Sequence, residues 1–113
     1  MAGETLMALK VIDLECDKKT VAANIHRLTG QVFRLLPVRE EGADWMKPLE
    51  TAILEITGLF AYVNDSETGL AVLSKLQGLF IQGEESEFSL YRRTIFECCT
   101  LLSRLEQRLL EEE

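Results

Sequence analysis

Helix-breaking residues are scarce in this sequence, which has seven glycines and two prolines among its 113 residues. Long apolar runs are also missing, and none approaches the roughly 18 residues that a membrane-spanning helix needs. Residues 1–17 do not resemble a signal peptide, because acidic residues interrupt their apolar stretch and no small-residue cleavage site follows. We therefore expect a single domain, residues 1–113, located in the cytoplasm and without a membrane partner.

Cysteine is rare and odd in number, with three residues at positions 16, 98 and 99. An odd count argues against a disulfide framework, and a bridge between the adjacent Cys98 and Cys99 would be strained. A zinc site needs about four Cys or His ligands, usually paired two to four residues apart, and Cys16 and His26 form no such pair. The sequence predicts reduced thiols, with Cys98 as a small buried residue, and neither a metal nor a cofactor.

Catalytic motifs are missing as well. His26 is the only histidine, and no Ser or Asp stands in a recognisable nucleophile motif. The carboxylates of Glu41 and Asp44, and those of Glu84 and Glu87, have the spacing of magnesium-binding nucleotide hydrolases, but both pairs fall in predicted loops. There they serve as charges favourable to helix starts. The interpretation is that the chain is not an enzyme, with a small magnesium-dependent bundle enzyme as the minor alternative.

Negative charge is in excess, with a formal net charge of −7. Residues 1–39 carry six basic and four acidic side chains, whereas residues 40–113 carry six basic and fifteen acidic ones. This balance argues against direct binding of nucleic acid, and neither a glycine-rich phosphate loop nor a helix-turn-helix pattern is present. It also raises an alternative function, in which the acidic chain imitates nucleic acid and inhibits a nuclease or another nucleic-acid-binding protein.

What the sequence does have is helical periodicity. The first helix is predicted over residues 4–36, ending before Pro37. Its apolar seam is Met7, Val11, Leu14, Val21, Ile25, Leu28, Val32 and Leu35. Residues 5–15 fit a β-strand as an alternative, with a new helix starting near Asp17.

Two shorter, more apolar helices are predicted next. One follows the loop 38–44, with Asp44 as its cap and a seam of Leu49, Ile53, Ile56, Phe60 and Val63. The other follows the turn 64–67 and ends near Gln82 before Gly83. Its predicted inward face is Leu70, Leu73, Leu76 and Phe80.

The last helix is predicted from about Ser86 almost to the end of the chain. Its seam follows a strict alternation of three and four residues, which is typical of a helix packed along another helix: Phe88, Tyr91, Ile95, Cys98, Leu102, Leu105 and Leu109. The predicted fold class is an all-α, antiparallel bundle of about four helices. Its long first and last helices would flank the shorter apolar hairpin.

These patterns favour a non-catalytic protein-interaction module that self-associates as a homodimer and acts as an adaptor or regulator of another protein. Trp45, Leu54 and Tyr62 are candidate contact residues, because Leu54 and Tyr62 lie opposite the seam of their helix and aromatic residues anchor interfaces. A second candidate surface is a basic strip for an acidic partner, made of Arg92, Arg93, Arg104 and Arg108. A bundle that covers Trp45 internally, and a solvated face for the arginines, are the alternatives.

Overall fold

The computed structural model describes residues 18–63 and 65–111, and helices account for most of them. The helices are α1 (Lys18–Phe33), the short α2 (Leu35–Glu40), α3 (Met46–Leu59), α4 (Ser66–Gln82) and α5 (Phe88–Glu111), with a 3-10 helix at Gly83–Glu85 before α5. The predicted all-α helical bundle is confirmed. Residues 4–17 of the predicted first helix, and the alternative of a strand at 5–15, lie outside the described residues.

Helices α1 and α5 form the main packed pair, and their contacts run in opposite directions along the two helices. The contacts, ordered along α1 and into α2, are His26 with Glu106, Thr29 with Cys99, Phe33 with Phe96, and Leu35 with Tyr91. Helices α4 and α5 show the same opposed order, with Asp65 near Arg108 and Lys75 near Glu97. In each of these two pairs, the helices run in opposite directions.

The predicted seams of the outer helices form the centre of the core. From the first helix, Val21, Ile25, Leu28, Val32 and Leu35 are all buried. From α5, all the seam residues after Phe88 are buried: Tyr91, Ile95, Cys98, Leu102, Leu105 and Leu109. In the second helix, Leu49, Ile56 and Val63 are buried, while Ile53 and Phe60 are partly buried against the core.

Pro37 does not end the first helical segment as predicted. Helix α1 stops earlier, at Phe33, and α2 begins at Leu35 and runs through Pro37 to Glu40. A proline is tolerated here because it lies in the first turn of a new helix, where its missing N–H has no intrahelical partner to lose. The break after Phe33 is what allows Pro37 to be helical.

The inward face predicted for α4 is partly wrong. Leu70 is 69% exposed and Phe80 is 37% exposed, whereas the buried residues are Gly69, Val72, Leu76 and Leu79. This face also repeats at three and four residues, but it begins with a glycine and therefore looks less apolar in the sequence. The ring of Phe60 lies directly over Gly69, so close approach of the neighbouring segment selects this face.

The predicted turn at 64–67 carries the cap of α4, whereas Asp44 lies one residue before the N-cap position of α3, which is Trp45 and has no side-chain cap. Asp65 accepts a hydrogen bond from the Thr68 backbone N–H at 3.0 Å and so caps α4. Asp44 accepts one from the Met46 N–H at 3.1 Å at the start of α3. Gly83 ends α4 with φ of 57°, a left-handed conformation that favours glycine.

Candidate functional site

Trp45 lies inside the protein, so the surface role predicted for it does not fit. Its side chain is 2% exposed, packs edge-on against Tyr91 at 5.0 Å between ring centroids, and donates from Nε1 to Glu84 Oε1 at 3.1 Å. The alternative of internal burial is the one observed. Leu54 and Tyr62 are 67% and 42% exposed, so these two candidate contact residues lie on the surface but Trp45 does not.

Arg39 lies at the centre of an aromatic cluster at this end of the bundle. The sequence patterns did not indicate this role. Its guanidinium carbon lies 4.6 Å from the Trp45 ring centroid and 4.5 Å from that of Tyr91. It also donates to Ser86 Oγ at 2.9 Å. Burial raises the pKa of Tyr91 to about 12, and the charge of Arg39 opposes that rise. This cluster is structural, because its polar groups are satisfied within the chain.

Three of the four predicted arginines, Arg92, Arg93 and Arg104, line two grooves on the outer side of α5 that share Phe96. Arg93 and Arg104 line an open groove of about 440 Å³ between α5 and α4, which we call the α5 groove. Its lining also includes Lys75, Phe96, Glu97 and Leu101. Residue spacing indicates the arginines but not Lys75 or Phe96. Only the packing of α4 beside α5 brings Lys75 and Phe96 to the same groove as the arginines.

Phe96 is shared with a second groove, of about 670 Å³, between α5 and the α1–α2 segment. This aromatic groove is lined by residues that include Phe33, Leu36, Pro37, Glu40, Phe88 and Arg92. Phe33 and Phe96 pack at 5.8 Å between ring centroids, and the Arg92 guanidinium lies 5.3 Å from the Phe96 centroid. Phe96 therefore stands as a ridge between two grooves, with an arginine on each side.

Arg108 does not belong to this cluster. Its Nη1 donates to Asp65 Oδ2 at 3.1 Å, so its charge is engaged with the residue that caps α4. Lys75 is likewise paired, with Glu97 at 3.1 Å. Arg93 and Arg104 form no ion pair with residues 18–63 or 65–111. These two guanidinium groups are consequently the charges that the α5 groove can offer to a ligand.

The two thiols on α5 are poor nucleophiles. Burial raises the pKa of Cys98 to about 12 and that of Cys99 to about 11, so both stay protonated at neutral pH. Cys98 faces the core, as predicted, with Sγ 3.9 Å from the Val72 carbonyl oxygen. Over residues 18–63 and 65–111, no three His, Cys, Asp or Glu side chains are grouped closely enough to hold a metal ion.

The other candidate catalytic groups also have ordinary structural surroundings. The Glu84 carboxylate accepts from Trp45, as described above, and His26 is exposed with Nδ1 3.4 Å from Glu106 Oε1. None of the helices in the described part of the chain has both the length and the apolar character of a membrane span.

Comparison of the chain with family models, curated proteins and solved structures gives no match. The two grooves beside Phe96 are therefore the structural basis for proposing a function.

Proposed function

We propose that this chain is a non-catalytic helical protein-interaction module, an adaptor or regulator whose partner binds across the α5 groove and the aromatic groove. The observation that carries the proposal is that Arg92, Arg93 and Arg104 line two adjoining grooves that share the exposed Phe96. Exposed aromatic and arginine side chains are the residue types that dominate binding energy at protein interfaces.

The exposure of the aromatic side chains gives the proposal its energetic basis. Phe33 is 48% exposed and Phe96 is 40% exposed, and the two rings are in contact. Covering apolar surface stabilises a complex by roughly 25 cal/mol per Å² removed from water, before the costs of association. Arg92 is already held against the Phe96 ring, so less side-chain freedom is lost when a partner binds it.

The proposal includes self-association, through a different helix. Leu70 and Ile81 are 69% and 83% exposed on α4, and their separation of eleven residues places them on one face, about three turns apart. A two-fold axis between them would set Leu70 of one copy against Ile81 of the other. The apolar side chains would then meet on either side of a polar centre, because the exposed Ser74 and Gln77 lie between them on the same face.

The alternative of an inhibitor that imitates nucleic acid receives less support. It requires carboxylates spaced along one face like phosphates, whereas Arg93 and Arg104 interrupt the outer face of α5 on both sides of Glu97. In the proposed interaction module these arginines bind the partner, whereas in a nucleic-acid mimic they would repel the basic binding surface of the target.

Affinity capture from the cells that make the protein tests the interaction function. The full chain and its Arg93→Glu/Arg104→Glu variant are compared by quantitative mass spectrometry, with a Lys19→Glu/Lys47→Glu variant as the control. Both control lysines are exposed, lie outside the two grooves and give the same change in net charge. Circular dichroism verifies that all three proteins keep their helical content.

We expect at least one protein to be recovered with the wild type and the control variant but lost with the groove variant. Recovery of the same proteins with all three would contradict the proposal, because it would show that the α5 groove contributes nothing to binding.

A further inference from the structure

The α5 groove has two cationic ends at a defined separation. Arg93 and Arg104 are eleven residues apart, which is three helical turns, about 16 Å along the axis and only about 20° around it. They therefore lie on one face of α5. Glu97, between them, is already paired with Lys75, so the middle of the groove carries little net charge. Phe96 and Leu101 supply its apolar surface.

We propose that the α5 groove binds an acidic amphipathic helix of a partner protein. Two carboxylates about three turns apart pair with Arg93 and Arg104, and aliphatic side chains between them cover Phe96 and Leu101. Laying an amphipathic helix into an apolar groove is a common mode of peptide recognition, and arginine binds carboxylates with two parallel hydrogen bonds. The inference rests on the proposed interaction function and specifies its partner.

A second copy of this chain does not fit the groove. In a symmetric dimer that covers this whole face of α5, the two-fold axis passes midway between Arg93 and Arg104. Arg93 of each chain then faces Arg104 of the other chain. A copy aligned in parallel sets Arg93 against Arg93. Like charges brought together in an interface repel and disfavour the complex, so the occupant must bring carboxylates where this chain has arginines.

A nucleic acid fits less well than an acidic helix. A nucleic acid strand brings phosphate charges at short, regular intervals, and a strand that continued into the adjoining aromatic groove would bring them to Glu40. A helix can place its carboxylates at the two arginines alone. The apolar lining from Leu36, Pro37 and Leu101 also suits aliphatic side chains better than a sugar–phosphate backbone.

The test is a titration of the full chain with a designed sixteen-residue helical peptide. The peptide has glutamates at its third and fourteenth positions and leucines at the sixth, seventh, tenth and eleventh, which all fall on one face. Three control peptides replace both glutamates by glutamine, replace both by lysine, or exchange the second glutamate with the leucine at the tenth position, which keeps the composition. A single-stranded oligonucleotide is a fifth ligand. Calorimetry gives the affinities, and NMR shifts give the location.

We expect the acidic peptide to bind with shifts centred on Phe96, and each control ligand to bind about tenfold more weakly or worse. Arg93→Glu/Arg104→Glu should weaken the acidic peptide to a similar extent, whereas Lys19→Glu/Lys47→Glu should not. Equal binding of the glutamine peptide, or shifts centred on another surface, would overturn the inference, as would preferential binding of the oligonucleotide or the lysine peptide.

The two proposals fail in different ways. If cellular partners depend on the α5 groove but the acidic peptide does not bind there, the interaction function stands and its acidic-helix partner is wrong. If neither the captured proteins nor the peptide depend on Arg93 and Arg104, both are wrong.

Discussion

Cys98 and Cys99 illustrate how a single position around a helix sets the chemistry of a side chain. Cys98 is fully buried on the seam of α5, whereas Cys99 is partly buried on its flank, with Sγ 3.7 Å from the Thr29 carbonyl oxygen. Both environments are apolar enough to disfavour the thiolate, and burial is the largest cause of the raised pKa in each case. The heptad spacing alone predicted the core role of Cys98.

These raised pKa values predict that the protein is destabilised by base. The unfolded thiols ionise near 9, whereas the folded ones keep their protons until about 12 and 11. Stability is therefore fully present below pH 9 and falls as the pH rises above it, by up to about 1.4 kcal/mol per pH unit for each thiol. Urea unfolding from pH 8 to 10.5 measures this slope in a Cys16→Ser background, which leaves Cys98 and Cys99 as the only thiols. Tyr91, whose pKa is also raised by burial, adds to the decline above about pH 10.

Replacing both thiols provides the control. Cys98→Ala/Cys99→Ala in the same background should flatten the decline in stability between pH 9 and 10.5. Ellman's reagent should label the folded Cys16→Ser protein slowly at pH 8 and label both thiols rapidly after unfolding. An unchanged slope, or fast labelling of the folded protein, would show that the thiols are more accessible than their burial indicates.

At the scale of elements, α4 shows that a glycine can determine which face of a helix is buried. Gly69 begins the buried stripe of α4, and the Phe60 ring that follows α3 covers it. Because Phe60 needs that space, Leu70 is turned to the surface although it is the more apolar residue. A count of apolar spacings favours Leu70, since it gives a glycine no weight.

Adding a methyl group at Gly69 should therefore weaken the contact between α3 and α4. A Cβ at this position would lie 2.9 Å from both Cγ and Cδ1 of Phe60, which forces the ring to move. We expect Gly69→Ala to lower the free energy of unfolding by about 1–3 kcal/mol, as measured by urea unfolding.

Gly78 supplies the matched control within the same helix. A Cβ there would have no atom within 4 Å, so Gly78→Ala should raise the free energy of unfolding by about 0.5–1 kcal/mol through helix propensity. If both variants shift stability by the same amount and sign, the close approach of Phe60 is not what restricts position 69.

At the scale of the whole molecule, two helices, α4 and α5, each present one of the surfaces proposed for binding. On α4, Leu70 and Ile81 form an apolar pair that a two-fold axis would set against the same pair of a second copy. On α5, Arg93 and Arg104 form a charged pair that would repel its own copy. Both pairs have the same separation of eleven residues. The same geometry therefore favours a second copy on α4 and a different partner on α5.

We expect light scattering to give about twice the chain mass of 12.8 kDa, and Leu70→Lys/Ile81→Lys to reduce the mass to that of the monomer. The introduced lysines would face each other across the two-fold axis and repel. Leu90→Lys/Leu110→Lys changes two other exposed leucines, both on α5, and should leave the dimer intact. A monomeric wild type would remove self-association from the proposal.

The helical class, the seams of α1 and α5, the turn that caps α4 at 64–67 and the core position of Cys98 could all be read from residue spacing. They depend on interactions within one helix or on the burial of its most apolar stripe, which are local properties. The burial of Trp45, the face of α4 and the meeting of Phe96 with Lys75 and Phe33 could not. Each depends on which neighbouring helix covers a given stripe, and several stripes were apolar enough to be covered. Packing between helices made that choice, through the contact of Phe60 with Gly69 and the contacts of Trp45 with Tyr91 and Glu84.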